Sequence, residues 1–166
     1  NSTTAPRDLA EEGEVKIVLY NLCEAVAARL REYGFRCCAV QITLRDNRLL
    51  SLERQCALPQ PTCTAKGLFQ AAFSLYRAHK PPQPLRSLGV RGLRLLGQGD
   101  GMQLSLYESA RRQQKEEWLE EAMDRVRNRF GYTSVRRGLL LCDPKLSALD
   151  AKSEHVIHPV PFFNQT

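Results

Sequence analysis

The 166 residues, 43% of them hydrophobic, are enough for one domain of ordinary size with its own core and an appendage. The formal charge of +6 favours an anionic partner, and no run approaches the ~18 apolar residues of a membrane span, so a cytosolic protein without a membrane segment is expected. Residues 1–107 hold 14 Lys/Arg against 9 Asp/Glu, whereas residues 108–166 hold 10 against 9, so the basic excess lies in the first part.

In chain order, the opening Ser2 to Arg7 reads as a short strand in a polar run with no initiator Met, as in a piece of a longer chain. A helix follows. Asp8 is the expected cap, Glu11 completes a capping box, and Val15, Val18, Leu19, Leu22, Val26, Leu30 and Tyr33 recur at helical spacing up to Gly34. From Cys38 to Arg45 the period changes to two, with Val40, Ile42 and Leu44 on one side and Gln41, Thr43 and Arg45 on the other. Asp46-Asn47 is turn chemistry, and Arg48 to Leu58 reads as the returning strand of a hairpin that Pro59 and Pro61 end. Thr64 caps a second amphipathic helix, closed by Lys80-Pro81-Pro82, and Leu85 to Leu96 is the last strand.

The fold class expected is therefore α+β, a ferredoxin-like β-α-β-β-α-β unit. Its four-stranded sheet carries two helices on one face and leaves the other open, with Thr43, Arg45 and Gln55 on the open side. A partly helical C-terminal extension is expected after it. Gly97 to Gly101 is a tether with no Lys-Ser/Thr after it and so no phosphate loop. A third helix from about Gln113 to Phe130 has Trp118, Leu119, Ala122, Met123, Val126 and Phe130 as its packing stripe and Gly131 as its stop. Arg125, Arg127 and Arg129 read as a solvated face balanced by Glu116, Glu117, Glu120 and Glu121, and the end beyond Asp143 as loosely ordered. The six cysteines include no Cys-x-x-Cys pair and read as reduced core fillers, and the three histidines make no metal site with them. No cofactor is expected in this chain.

Three stretches carry a resemblance. Ser2-Thr3-Thr4-Ala5-Pro6-Arg7-Asp8-Leu9, Arg54-Gln55-Cys56-Ala57-Leu58-Pro59 with Pro61-Thr62, and Leu85-Arg86-Ser87-Leu88-Gly89-Val90 resemble the first, third and closing strands of the "little finger" domain of bacterial Y-family, translesion-type DNA polymerases. The likeness covers residues 1–96 and is greatest to the ImpB/MucB/SamB-type and polymerase IV proteins of Gram-positive bacteria. Cys56 stands where that family often has a second Arg. The resemblance implies a domain lying along the template–primer duplex, with Thr3, Thr4, Arg7, Arg54 and Arg45 holding phosphates without reading sequence. Residues 97–107 hold Gln103-Leu104-Ser105-Leu106-Tyr107, which resembles the bacterial sliding-clamp peptide with Tyr for the usual Phe. Within a helical tail expected over residues 108–166, Leu119 to Gly131 followed by Ser134-Val135-Arg136-Arg137 resembles the tail of the Gram-positive relatives. The implied parent is a DNA-directed DNA polymerase using Mg2+, but the catalytic carboxylates are missing from this chain, which is expected to be inactive alone and a monomer.

Two other classes remain open. An RNA-recognition module shares the element order but needs aromatic residues on its central strands, and residues 38–45 and 48–58 contain none. A small-molecule regulatory domain of ferredoxin-like fold would explain neither the clamp-like peptide nor the basic excess.

Overall fold

Helix α1 (Glu12–Glu32) begins later than Asp8, because Leu9 is still buried at the end of strand β1 (Ser2–Leu9) and the chain must stay extended to reach it. The cap is Glu11, in a capping box with Glu14, whose carboxylate accepts from Glu11 N at 3.2 Å and Ala10 N at 3.0 Å. Apolar residues and alanines all round α1 bury it on nearly every side. Gly34, at φ 69°, turns the chain out of the helix through the left-handed region.

The computed structural model describes residues 1–97 and 108–147. After α1 come β2 (Phe35–Asp46), β3 (Ser51–Thr62), α2 (Ala65–Ala78), β4 (Leu85–Gly97), α3 (Glu108–Phe130), two short 3-10 turns, and α4 (Pro144–Ser147). The β-α-β-β-α-β order, the four strands and the one-sided helices match the sequence reading. Asp46 closes the β2–β3 turn, its carboxylate accepting from Arg48 N and Leu50 N, both at 2.9 Å. Thr64 caps α2 by accepting from Gly67 N at 3.2 Å. Thr64→Ala is expected to cost about 1 kcal/mol of stability, read from a urea-denaturation midpoint.

The sheet runs β1-β4-β2-β3 with each described pair antiparallel. Both βαβ units are split: β4 lies between β1 and β2, and β2 lies between β3 and β4. A ferredoxin-like sheet keeps its first and third strands inside, and here they are the edges. Proline supplies the reason. It has no N–H for a ladder and is tolerated on an edge, and Pro6 lies in β1 and Pro59 and Pro61 in β3, while β2 and β4 have none. Both edges slip their register around these prolines. Thr4 to Leu9 spans only Ser87 to Leu85 of β4, and Ala57 to Thr62 spans only Ala39 to Cys37 of β2. The expectation that Pro59 and Pro61 end the strand is thus corrected, since β3 runs through both to Thr62.

Val40, Ile42, Leu44, Leu88 and Val90 face the helices and pack with Val18, Leu22, Leu68 and Tyr76. Leu140 and Leu146 belong to this same core, which anchors residues 144–147, while the rest of the end expected to be loosely ordered, residues 148–166, lies outside the described residues. Cys23, Cys37 and Cys63 are buried, Cys142 is exposed, and all six cysteines are free. Burial pushes the Cys63 thiol up to about 11, and that of Cys37 to about 12. No described helix is long and apolar enough to cross a membrane.

Helix α3 docks in the reverse of the expected orientation. Trp118 is 60% exposed, Leu119 54% and Phe130 65%, while Glu117, Glu120 and Arg127 are buried. Glu120 pairs with Arg31 and Arg137, Asp124 with Arg31, Glu117 with Arg36, and Glu116 with Lys66. Arg127 reaches Glu24 at 2.9 Å and donates to Val135 O at 2.9 Å. The cations that receive α3 lie on α1, β2 and α2, and partnered charges can be buried where lone ones cannot. Arg127, Glu117 and Glu120 are thus docking residues and not a solvated face.

Candidate nucleic-acid interface

Two-residue periodicity in β2, β3 and β4 sends Val40, Ile42, Leu88 and Val90 to the helices and the alternate residues to the opposite face, which no described helix covers. Cross-strand register lines these up in rows. Thr4 stands opposite Ser87, Ser87 opposite Arg45, and Arg45 opposite Ser51. The next row is Ser2, Gly89, Thr43 and Glu53, and the next Arg91, Gln41 and Gln55. Arg45 and Arg91 are exposed. Glu53 accepts from Gln41 Nε2 at 2.8 Å and from Thr43 Oγ1 at 3.2 Å, which occupies its carboxylate within the face. Gly89 sits in the middle, where a Cβ would come within 3.3 Å of both the Ser2 and Thr43 side chains. That keeps the centre of the face shallow for close approach.

The five residues named from the resemblance do not all meet here. Thr4 and Arg45 share a row with Ser87 between them. Thr3 pairs with buried Leu88, is 9% exposed and points toward the core. Arg54 pairs with Ile42 and so lies on the helix side of edge strand β3, donating to its neighbour's carbonyl, Glu53 O, at 2.8 Å. Arg7 is engaged by Glu14 at 2.9 Å and Asp143 at 2.6 Å, tying β1 to α1 and to the residue before α4. The Arg7 guanidinium holds the Asp143 carboxyl below the usual range. Gln103, Leu104, Ser105, Leu106 and Tyr107 lie outside the described residues.

Arg91, Ser87, Ser51 and Ser2 were not singled out from sequence, whereas Gln41 was read with Thr43 and Arg45 on this side of the strand. The signal for two of them was present in β4, where Ser87, Gly89 and Arg91 alternate with Leu88 and Val90. The face therefore offers hydroxyls, amides and two guanidiniums in regular rows, groups able to contact phosphate and sugar. Phe35 is the one aromatic residue in the four strands, and it stands beyond these rows opposite Gly97. Base stacking on central strands, which an RNA-recognition module needs, has no side chain here to perform it.

The chain is 41% identical over 150 residues to DNA polymerase IV of Acetivibrio thermocellus, covering 90% of this chain and 38% of that protein. It is 36% identical over 139 residues to DNA polymerase IV of Pelotomaculum thermopropionicum, covering 83% and 34%. The chain thus spans little more than a third of the length of these relatives. A solved complex of the beta-clamp processivity factor with the little finger domain of PolIV matches at a TM-score of 0.48 with 13% identity, over 65% of this chain and 95% of that one. The profile of the impB/mucB/samB family C-terminal domain covers residues 1–106, and the chain belongs to that family.

Proposed function

We propose that this chain is the duplex-gripping and clamp-tethering region of a polymerase for translesion synthesis, holding template–primer DNA on the open face of its sheet without sequence selection. The observation that carries the reading is the set of rows through Arg45 and Arg91, backed by Thr4, Ser87, Thr43 and Gln55. The relatives named DNA polymerase IV support it. Nucleotidyl transfer and its Mg2+ ions belong to the remainder of such a polymerase. Among the described residues there is no group of three His, Cys, Asp or Glu able to hold a metal ion.

The clamp half of the proposal rests on Gln103-Leu104-Ser105-Leu106-Tyr107. Gln can hydrogen-bond at one subsite while Leu106 and Tyr107 fill an apolar pocket. A weak peptide of this kind raises the local concentration of the polymerase at the primer end. Gln103→Ala with Leu106→Ala is expected to abolish binding to a bacterial sliding clamp, measured by calorimetry, with the thermal midpoint of the chain unchanged. Clamp affinity that survives the double change overturns this half and leaves the sheet-face reading standing.

A further inference from the structure

The outward side of α3 has no role in the reading above. At roughly 100° per residue, Trp118, Leu119, Ala122, Val126 and Phe130 share an arc of roughly 120° on the solvent side. Trp118 and Phe130 are the most exposed of them, at 60% and 65%, and lie ~18 Å apart along the axis at 1.5 Å per residue. Charge is sorted across the helix. Glu116, Glu117, Glu120 and Asp124 turn inward to the cations of the domain, while Arg111, Lys115, Arg125 and Arg129 are exposed, with the acid Glu121 exposed beside Arg125. Among the described residues Arg111, Lys115 and Arg125 make no ion pair, and Arg129 lies over the Phe130 ring at 5.1 Å from its centroid.

We propose that this outer face of α3 binds single-stranded nucleic acid, with bases stacking on Trp118 and Phe130 and phosphates on Lys115, Arg125 and Arg129. Three observations favour this occupant. The cations alternate along the axis with the apolar residues, a sequence-tolerant stacking platform with an electrostatic track beside it. Paired bases are already stacked and offer no free faces to two separated aromatic rings, which selects single strands over duplex. A second copy of the helix would bring these same cations against each other, and like charges in contact oppose that pairing.

Trp118 is the one tryptophan in the chain, so its fluorescence reports on this face alone. Titrating the 166-residue chain with oligothymidylate is expected to quench Trp118 saturably. Log K should fall against log salt with a slope of about −0.7 per neutralised phosphate, or about −2 for three cations. Lys115→Glu with Arg129→Glu should weaken binding at least tenfold, and Lys115→Arg with Arg129→Lys should retain it. Arg45→Glu with Arg91→Glu on the sheet should leave the quench unchanged, which separates this inference from the duplex-grip reading. The inference is overturned by the absence of quenching, or by quenching that follows the sheet variant and ignores the α3 variant. It is equally overturned by a blue shift on anionic vesicles or on raising protein concentration without nucleic acid. A red shift of Trp118 on truncating the chain after Ser147 would overturn it too, by showing that the chain's own end covers the stripe.

Discussion

Replacing Glu120 with Ala is expected to destabilise the fold by about 3–5 kcal/mol, the range for removing one partner of a buried charge pair. Glu120 is 4% exposed and serves three donors: Arg31, Arg137 at 3.1 Å, and the backbone N–H of Ala65 at 2.9 Å in the first turn of α2. The Ala variant leaves Arg31 and the partly exposed Arg137 short of a counter-charge and strips an N–H at the start of α2 of its acceptor. The measurement is a urea-denaturation midpoint together with hydrogen exchange along α3, and a loss below about 1 kcal/mol would mean that α3 docks without this residue. Burial raises the Glu120 carboxyl above its ordinary value, against the pull of Arg31 and Arg137. A carboxyl raised in the folded state contributes stability below its unfolded pKa, and that contribution fades as pH climbs through the folded value. The stability advantage of wild type over Glu120→Gln should therefore narrow as pH rises from acid toward neutral.

The second large effect belongs to the sheet. Arg45→Glu with Arg91→Glu replaces two cations by two anions on a face whose other charged group, Glu53, is already negative. Duplex affinity at low salt is expected to drop by at least tenfold, and the slope of log K against log salt to flatten by about 1.8, at about 0.9 for each phosphate no longer neutralised. The loss should be the same for unrelated duplex sequences if these rows hold phosphates and not base edges, as proposed. Arg54→Glu is the control: on the helix side of β3, it should change duplex affinity far less. Equal losses for the two variants, or a strong preference for one duplex sequence, would remove the open face as the grip.

Much of the fold was legible in the residues themselves. The period-two run in β2, the apolar run of β4, the Thr64 cap, Gly34 and Gly131 are local signals, and each stands where it was read. What failed was whatever depended on partners distant in the chain. The apolar stripe of α3 looked like packing because a helix face is ordinarily buried by its apolar side. Arg31 and Arg36, which receive Glu120 and Glu117, lie more than 80 residues away and give the helix itself no signal of their presence. Within the candidate site, Thr43, Arg45 and Gln55 fell on the face expected, since alternation along a strand decides side. The same parity separates Thr3 from Thr4 and places Arg54 with Leu52 and Cys56, away from Arg45, so the residues named from the resemblance do not share one face. Sheet order was hidden in the element order but written in the prolines.

Those prolines have a further consequence. An open-faced sheet with two unprotected rims would invite other extended chains to join it edge to edge, the route to fibrils and to strand-addition binding. Here each rim breaks its own ladder around proline, so neither presents a long uninterrupted template. A polymer held on the open face, as proposed, would settle onto the pleat from above and be held by side chains, free to shift from one row to the next without unzipping anything.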